Sequence, residues 1–105
     1  MPVEMIRWQQ AESPEPGMLL RELAATGRTY AEWSNGPYDR YAAHSHEYDK
    51  HLVCLQGSIV FSLPGSGEHV ELRSGDQLWL PAGTAHAADV GARGVRCAEA
   101  HLARG

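Results

Sequence analysis

The stretch Gly75-Asp76-Gln77-Leu78-Trp79-Leu80-Pro81-Ala82-Gly83-Thr84-Ala85-His86 decides how this chain folds once it is set beside the upstream triplet His44-Ser45-His46. Gly75-Asp76 reads as a turn, Gln77 to Leu80 as a short strand, and Pro81-Ala82-Gly83 as a second turn that delivers His86 to the next strand. Residues i and i+2 of a strand point to the same face, so a strand carrying His44 and His46 aims both imidazoles at one point. His86, arriving from a separate strand, supplies a third nitrogen. Three convergent histidines suit a divalent transition metal (Fe, Ni, Zn, Mn or Cu) with coordination positions left open for chemistry.

Outward from these motifs the chain is punctuated as an all-β protein with one helix in front. Strand-like pieces fall at 29–33, 41–46, 51–55, 58–63, 69–72, 77–80, 85–89 and 95–101, separated by turn clusters such as Asn35-Gly36-Pro37, Pro64-Gly65-Ser66-Gly67 and Gly91-Ala92-Arg93-Gly94. Strands at this spacing predict a sandwich or a closed barrel. Ahead of them, Ser13 reads as an N-cap, Pro14 as the first helical residue and Glu15 as a first-turn acid for a short amphipathic helix that runs on through 18–25, with Gly27 as its stop. Residues 1–27 are therefore expected to form an N-terminal extension whose helix packs on a barrel built from residues 28–105.

At 105 residues the chain has room for one core. The net charge of −4 and the absence of a basic stripe argue against nucleic acid and acidic membrane surfaces as partners. Nor is there an apolar run of about 18 residues to span a membrane. Six histidines are many for this length and direct attention to metal or proton chemistry. Cys54 and Cys97, with no apolar leader after Met1, predict a cytoplasmic protein with free thiols, a disulfide remaining possible if their strands adjoin.

Together, His44-Ser45-His46, Tyr48-Asp49-Lys50 and Gly57, followed by Gly75, Pro81, Gly83 and His86, resemble the two sequence motifs of the cupin superfamily. The second motif matches up to its histidine, and the position beyond, where Asn is common, is Val90. The resemblance spans about half of the chain. It implies a single jelly-roll barrel in which His44, His46 and His86 are the metal ligands. Such barrels commonly pair, implying a homodimer through a strand edge or face.

The resemblance breaks at one position. The first cupin motif places a Glu seven residues before its Gly, and here that slot is Lys50, the only lysine beside eight arginines. An ammonium cannot ligate a metal. Four readings stay open: a three-histidine site with open positions; Glu47, Asp49 or His51 moving in through a register shift or bulge; Lys50 holding a substrate carboxylate or acting as a catalytic base; and a barrel without metal. The implied function is a metal-binding barrel acting on a small anionic molecule, as a dioxygenase-type enzyme with iron or an isomerase-type enzyme with zinc or nickel. The competing reading is a non-catalytic module that binds or senses a small molecule.

The remaining candidates read blandly. His69 belongs to a solvated hairpin, and His101 is structural although it shares a face with Glu99. Cys54 fits a small buried apolar position. Trp8, Trp33 and Trp79 read as core or interface aromatics, and Asp49 as a residue that fixes a turn.

Overall fold

The computed structural model describes residues 2–102 of the chain. Among these, the element order is β1 (Glu4–Ile6), α1 (Pro16–Ala25), β2 (Tyr30–Asn35), β3 (Arg40–His44), β4 (Asp49–Leu63), β5 (Glu68–Arg73), β6 (Gln77–Leu80) and β7 (His86–Leu102). Every strand pairing is antiparallel. Two long strands, β4 and β7, pair with each other along most of their length and belong to both halves of the molecule. In one half, the start of β4 and the end of β7 lie in the order β1-β6-β4-β7-β2. In the other, the end of β4 pairs with β5 and the start of β7 with β3.

The pieces expected at 51–55 and 58–63 are thus one strand, as are those at 85–89 and 95–101. Gly57 and Gly94 bend these strands instead of ending them. Both adopt positive φ (76° each), and β4 shifts register against β7 on either side of Gly57 while the ladder continues. A Cβ on Gly57 would lie 2.0 Å from the Gly94 carbonyl oxygen, so the crossing of the two bends needs bare backbone. Strand β1 was not expected, because three residues are too short to show a period.

The helix also begins later than the sequence predicts. Glu15, in extended conformation (φ −74°, ψ 135°), is the N-cap, and Pro16 is the first helical residue. Pro16 disfavours the helical region for the residue before it, which bars a start at Pro14. No first-turn acid and no side-chain cap bond remain. The glycine stop holds: Gly27 has φ 79°, and its N–H donates to the Ala24 carbonyl at 3.0 Å.

Side chains alternate along β4, yet both of its faces are buried. Leu52 and Cys54 point inward with Ile59, Phe61, Leu72, Leu78 and Cys97. Val53 and Leu55 point outward, where Leu19 and Leu23 of α1 cover them together with Ala98 and Ala100. This double burial explains the unbroken apolar run Leu52-Val53-Cys54-Leu55. Burying Leu19 and Leu23 contributes on the order of 2 kcal/mol each.

Gly57→Ala is expected to destabilise the protein by at least about 2 kcal/mol, because the added methyl meets backbone and the φ is unfavourable. Chemical denaturation measures this, and an unchanged midpoint would contradict the crossing described here.

Candidate metal centre

His44 closes β3, and its register partner on β7 is His86, the first residue of that strand. The strand expected over 41–46 ends at His44, so His46 lies in the connection to β4 and is not placed by strand alternation. Backbone bonds from the downstream motif place it instead. The Gly83 N–H donates to the His46 carbonyl at 2.8 Å, and the Ala82 N–H donates to Asp49 Oδ1 at 2.7 Å. Asp49 thus fixes the turn, as its sequence context suggests. The three imidazoles converge: one nitrogen from each of His44, His46 and His86 lies within 4.8 Å of the others.

Hydrogen bonds on the far side of two rings decide which nitrogen is available. His44 Nδ1 lies 2.8 Å from the Ala42 carbonyl and His86 Nδ1 lies 2.9 Å from the Thr84 carbonyl. A carbonyl only accepts, so each Nδ1 carries a proton, and in the neutral ring Nε2 is then the nitrogen with the bare lone pair. His46 Nδ1 lies 3.1 Å from the Tyr48 hydroxyl. Nε2 of His46 and Nε2 of His86 are buried with no hydrogen-bond partner. Leaving such an atom unsatisfied costs about 1–3 kcal/mol. A divalent transition ion is the group that bare, convergent imidazole nitrogens accept. Burial, then the Lys50 charge and the neighbouring histidines, hold His46 below the usual imidazole range. Burial does the same for His86, against the bond to Thr84. Both rings are therefore neutral at pH 7, the form that ligates metal.

The histidines open into a cavity of about 220 Å³. Ile59, Phe61 and Ala88 line it with apolar surface, while Trp33, Lys50 and Glu99 bring polar groups. Lys50 is 8% exposed and its Nζ stands 3.4 Å from Glu99 Oε1. None of Glu47, Asp49 and His51 joins the histidine group. His51 faces the opposite side of β4, where its Nε2–H donates to Gln77 Oε1 at 2.7 Å and its ring stacks on Trp79 with centroids 3.9 Å apart. The re-aiming bulge is absent at that point, since the β4–β7 register is regular from Asp49 to Cys54.

Glu99 is the residue that sequence reading missed. Its carboxylate accepts from Trp33 Nε1 at 2.6 Å and from His101 Nε2. Burial pushes its carboxyl up, but the His101 bond, the Lys50 charge and the Trp33 bond outweigh burial and hold it below the usual range. The available signal was its parity: Glu99 continues the inward series Val95, Cys97 on β7, where a charge needs a partner. Trp33 and His101, read as structural, are the donors that partner it. A larger hollow of about 980 Å³ lies beside Arg7, Glu71 and Arg93, but the one metal-spaced cluster among the described residues is the histidine group.

The arrangement of long shared strands is found in solved proteins. A cupin superfamily protein from Desulfitobacterium hafniense superposes with a TM-score of 0.65 at 16% identity, covering 98% of this chain and 79% of that one. This chain has the cupin fold. A cupin-2 domain protein from Shewanella frigidimarina gives a TM-score of 0.59 at 12% identity, covering 70% and 68%. The polyketide cyclase RemF from Streptomyces resistomycificus gives 0.65 at 23% identity, covering 72% of this chain and 54% of that one. No protein-family profile and no curated protein matches the sequence.

Glu99→Gln is expected to cost about 3 kcal/mol, because Lys50 stays in the cavity without its counter-charge. The double variant with Lys50→Met should recover most of that loss. A carboxyl held below its ordinary value of 4.5 adds stability that is complete above that pH and drains away as the pH falls further. Glu99→Gln should therefore also flatten the acid limb of a denaturation profile below about pH 4.5. An acid limb identical to wild type would contradict this pairing.

Proposed function

We propose that this cupin is a metal-dependent enzyme acting on a small anionic molecule, with one divalent transition ion held by Nε2 of His44, His46 and His86. The observation that carries the reading is the pair of buried, unpartnered nitrogens on His46 and His86. When bound, the ion supplies Lewis-acid polarisation of a ligated oxygen, with isomerase-type chemistry for zinc or nickel and oxygen chemistry for iron.

The protein's own charges set the substrate class. In the usual cupin site a carboxylate among the ligands offsets part of the ion's charge, and here Lys50 stands in that slot. The lysine and Glu99 cancel each other, so a divalent ion on three neutral histidines keeps its full charge. An anionic molecule small enough for the 220 Å³ cavity supplies the missing compensation. Lys50 meets Glu99 only at 3.4 Å, so its ammonium has donor capacity to spare for the anionic group of a substrate. The Trp33 and His101 bonds keep Glu99 in place while Lys50 turns toward that group. Ile59 and Phe61 exclude water on the other side.

Protein purified without an affinity tag is expected to bind one equivalent of Co(II) or Zn(II), and His86→Ala should weaken that binding by more than about 100-fold. On the Co(II)-loaded protein, oxalate should bind at least about tenfold more weakly to Lys50→Met than to wild type. Titration calorimetry and the cobalt absorption bands report both. Wild-type protein that fails to take up iron, nickel, cobalt or zinc would overturn the proposal.

A further inference from the structure

Cys54 and Cys97 take no part in the cavity or the histidine cluster. Each is 0% exposed, and the register of β4 on β7 sets them directly opposite each other. Opposed residues in an antiparallel ladder alternate between hydrogen-bonded and non-hydrogen-bonded pairs. The Cys54 N–H donates to the Asp76 carbonyl at 2.9 Å, and the Cys54 carbonyl accepts from the Gly75 N–H at 2.8 Å. Both of its backbone groups are thus turned away from β7, which makes Cys54 and Cys97 a non-hydrogen-bonded pair. Such pairs hold their Cα atoms about 4.5 Å apart, within the range of about 4.4–6.8 Å that a disulfide bridges. Both side chains point into the same inner core, where the Cys54 thiol lies 3.7 Å from the Gln56 carbonyl and 3.8 Å from the Gly57 carbonyl.

We propose that Cys54 and Cys97 form a thiol–disulfide couple, a redox site that a low-molecular-weight disulfide oxidises to an intramolecular bond across β4 and β7. One cysteine, as thiolate, attacks a sulfur of the reagent, forming a mixed disulfide and expelling one reagent thiolate. The other cysteine, losing its proton, attacks the protein sulfur of that mixed disulfide and expels the second reagent thiolate. The two protein thiols are oxidised, one reagent disulfide is reduced to two thiols, and the two protons pass to the expelled sulfurs. The contact with Cys54 and burial raise the Cys97 thiol well above its usual range, so the closed protein resists attack and exchange proceeds when the strands open. The bond joins β4 to β7 one inward position from Leu52 and Glu99, which face each other in the next inward pair, and Glu99 lines the cavity.

The test uses the wild-type chain and glutathione disulfide, equilibrated in sub-denaturing urea, followed by removal of the urea, alkylation after full unfolding, and intact mass measurement. The expected product is a single chain about 2 Da lighter than the reduced protein, with no thiol left to alkylate and full reversal by dithiothreitol. Its Tm should exceed that of the reduced form by about 10 °C. Cys97→Ser, treated alike, should carry a glutathione adduct on Cys54. Two alkylatable thiols, glutathione adducts on the wild-type chain or a lowered Tm would each overturn the proposal.

Discussion

The candidate site depends on a turn meeting a loop. The Gly83 N–H donates to the His46 carbonyl and the Ala82 N–H to the Asp49 carboxylate, tying the segment before β7 to the loop that enters β4 and to that strand's first residue. His46 lies outside any strand, so no ladder holds it. Gly83 has a φ of 80°, a conformation that glycine adopts without strain, and this presents its N–H to His46. An ordinary backbone hydrogen bond adds only about 1 kcal/mol net. Its value here is positional, because it sets His46 against His44 and His86, whose strands already adjoin. The Pro-Ala-Gly turn is therefore part of the candidate site although it contributes no side chain to the histidine cluster.

The second constraint is charge. Lys50 puts a cation at the wall of a cavity lined by histidines, and the cost of removing it from water must be met inside the protein. Glu99 meets it from the neighbouring strand, while Trp33 on β2 and His101 on β7 satisfy the carboxylate's remaining acceptor capacity. A carboxylate is thus retained beside the cavity, on β7 and paired to a lysine. That position leaves the histidine nitrogens without an anionic neighbour among the metal-spaced groups.

Much of this was legible in the residues. His44, His46 and His86 converge as expected, although the turn at Pro81-Ala82-Gly83, and not strand alternation, places His46. The number of strands was not legible, because Gly57 and Gly94 look like chain breaks in sequence. Whether a glycine ends a strand or bends it depends on what lies across from it, here the other glycine's backbone. The helix start was misplaced by one proline, since either of two prolines fits the first helical position until the second restricts the residue before it. The roles of Glu99 and Trp33 in the cavity were not legible because the pairs Trp33–Glu99 and Lys50–Glu99 each join residues more than forty positions apart. Their pairing depends on the β2–β7 and β4–β7 registers, which no local pattern encodes.

The site rests on three imidazoles whose neutral rings present Nε2 toward one point. Long-range proton–nitrogen correlation spectra of the metal-free protein at neutral pH read the tautomer of each imidazole directly. The account predicts the Nδ1–H form for His44 and His86, with Nε2 shifts of an unprotonated nitrogen that move when one equivalent of Zn(II) is added. Nε2–H tautomers at these two residues, or Nε2 shifts that ignore the metal, would contradict it.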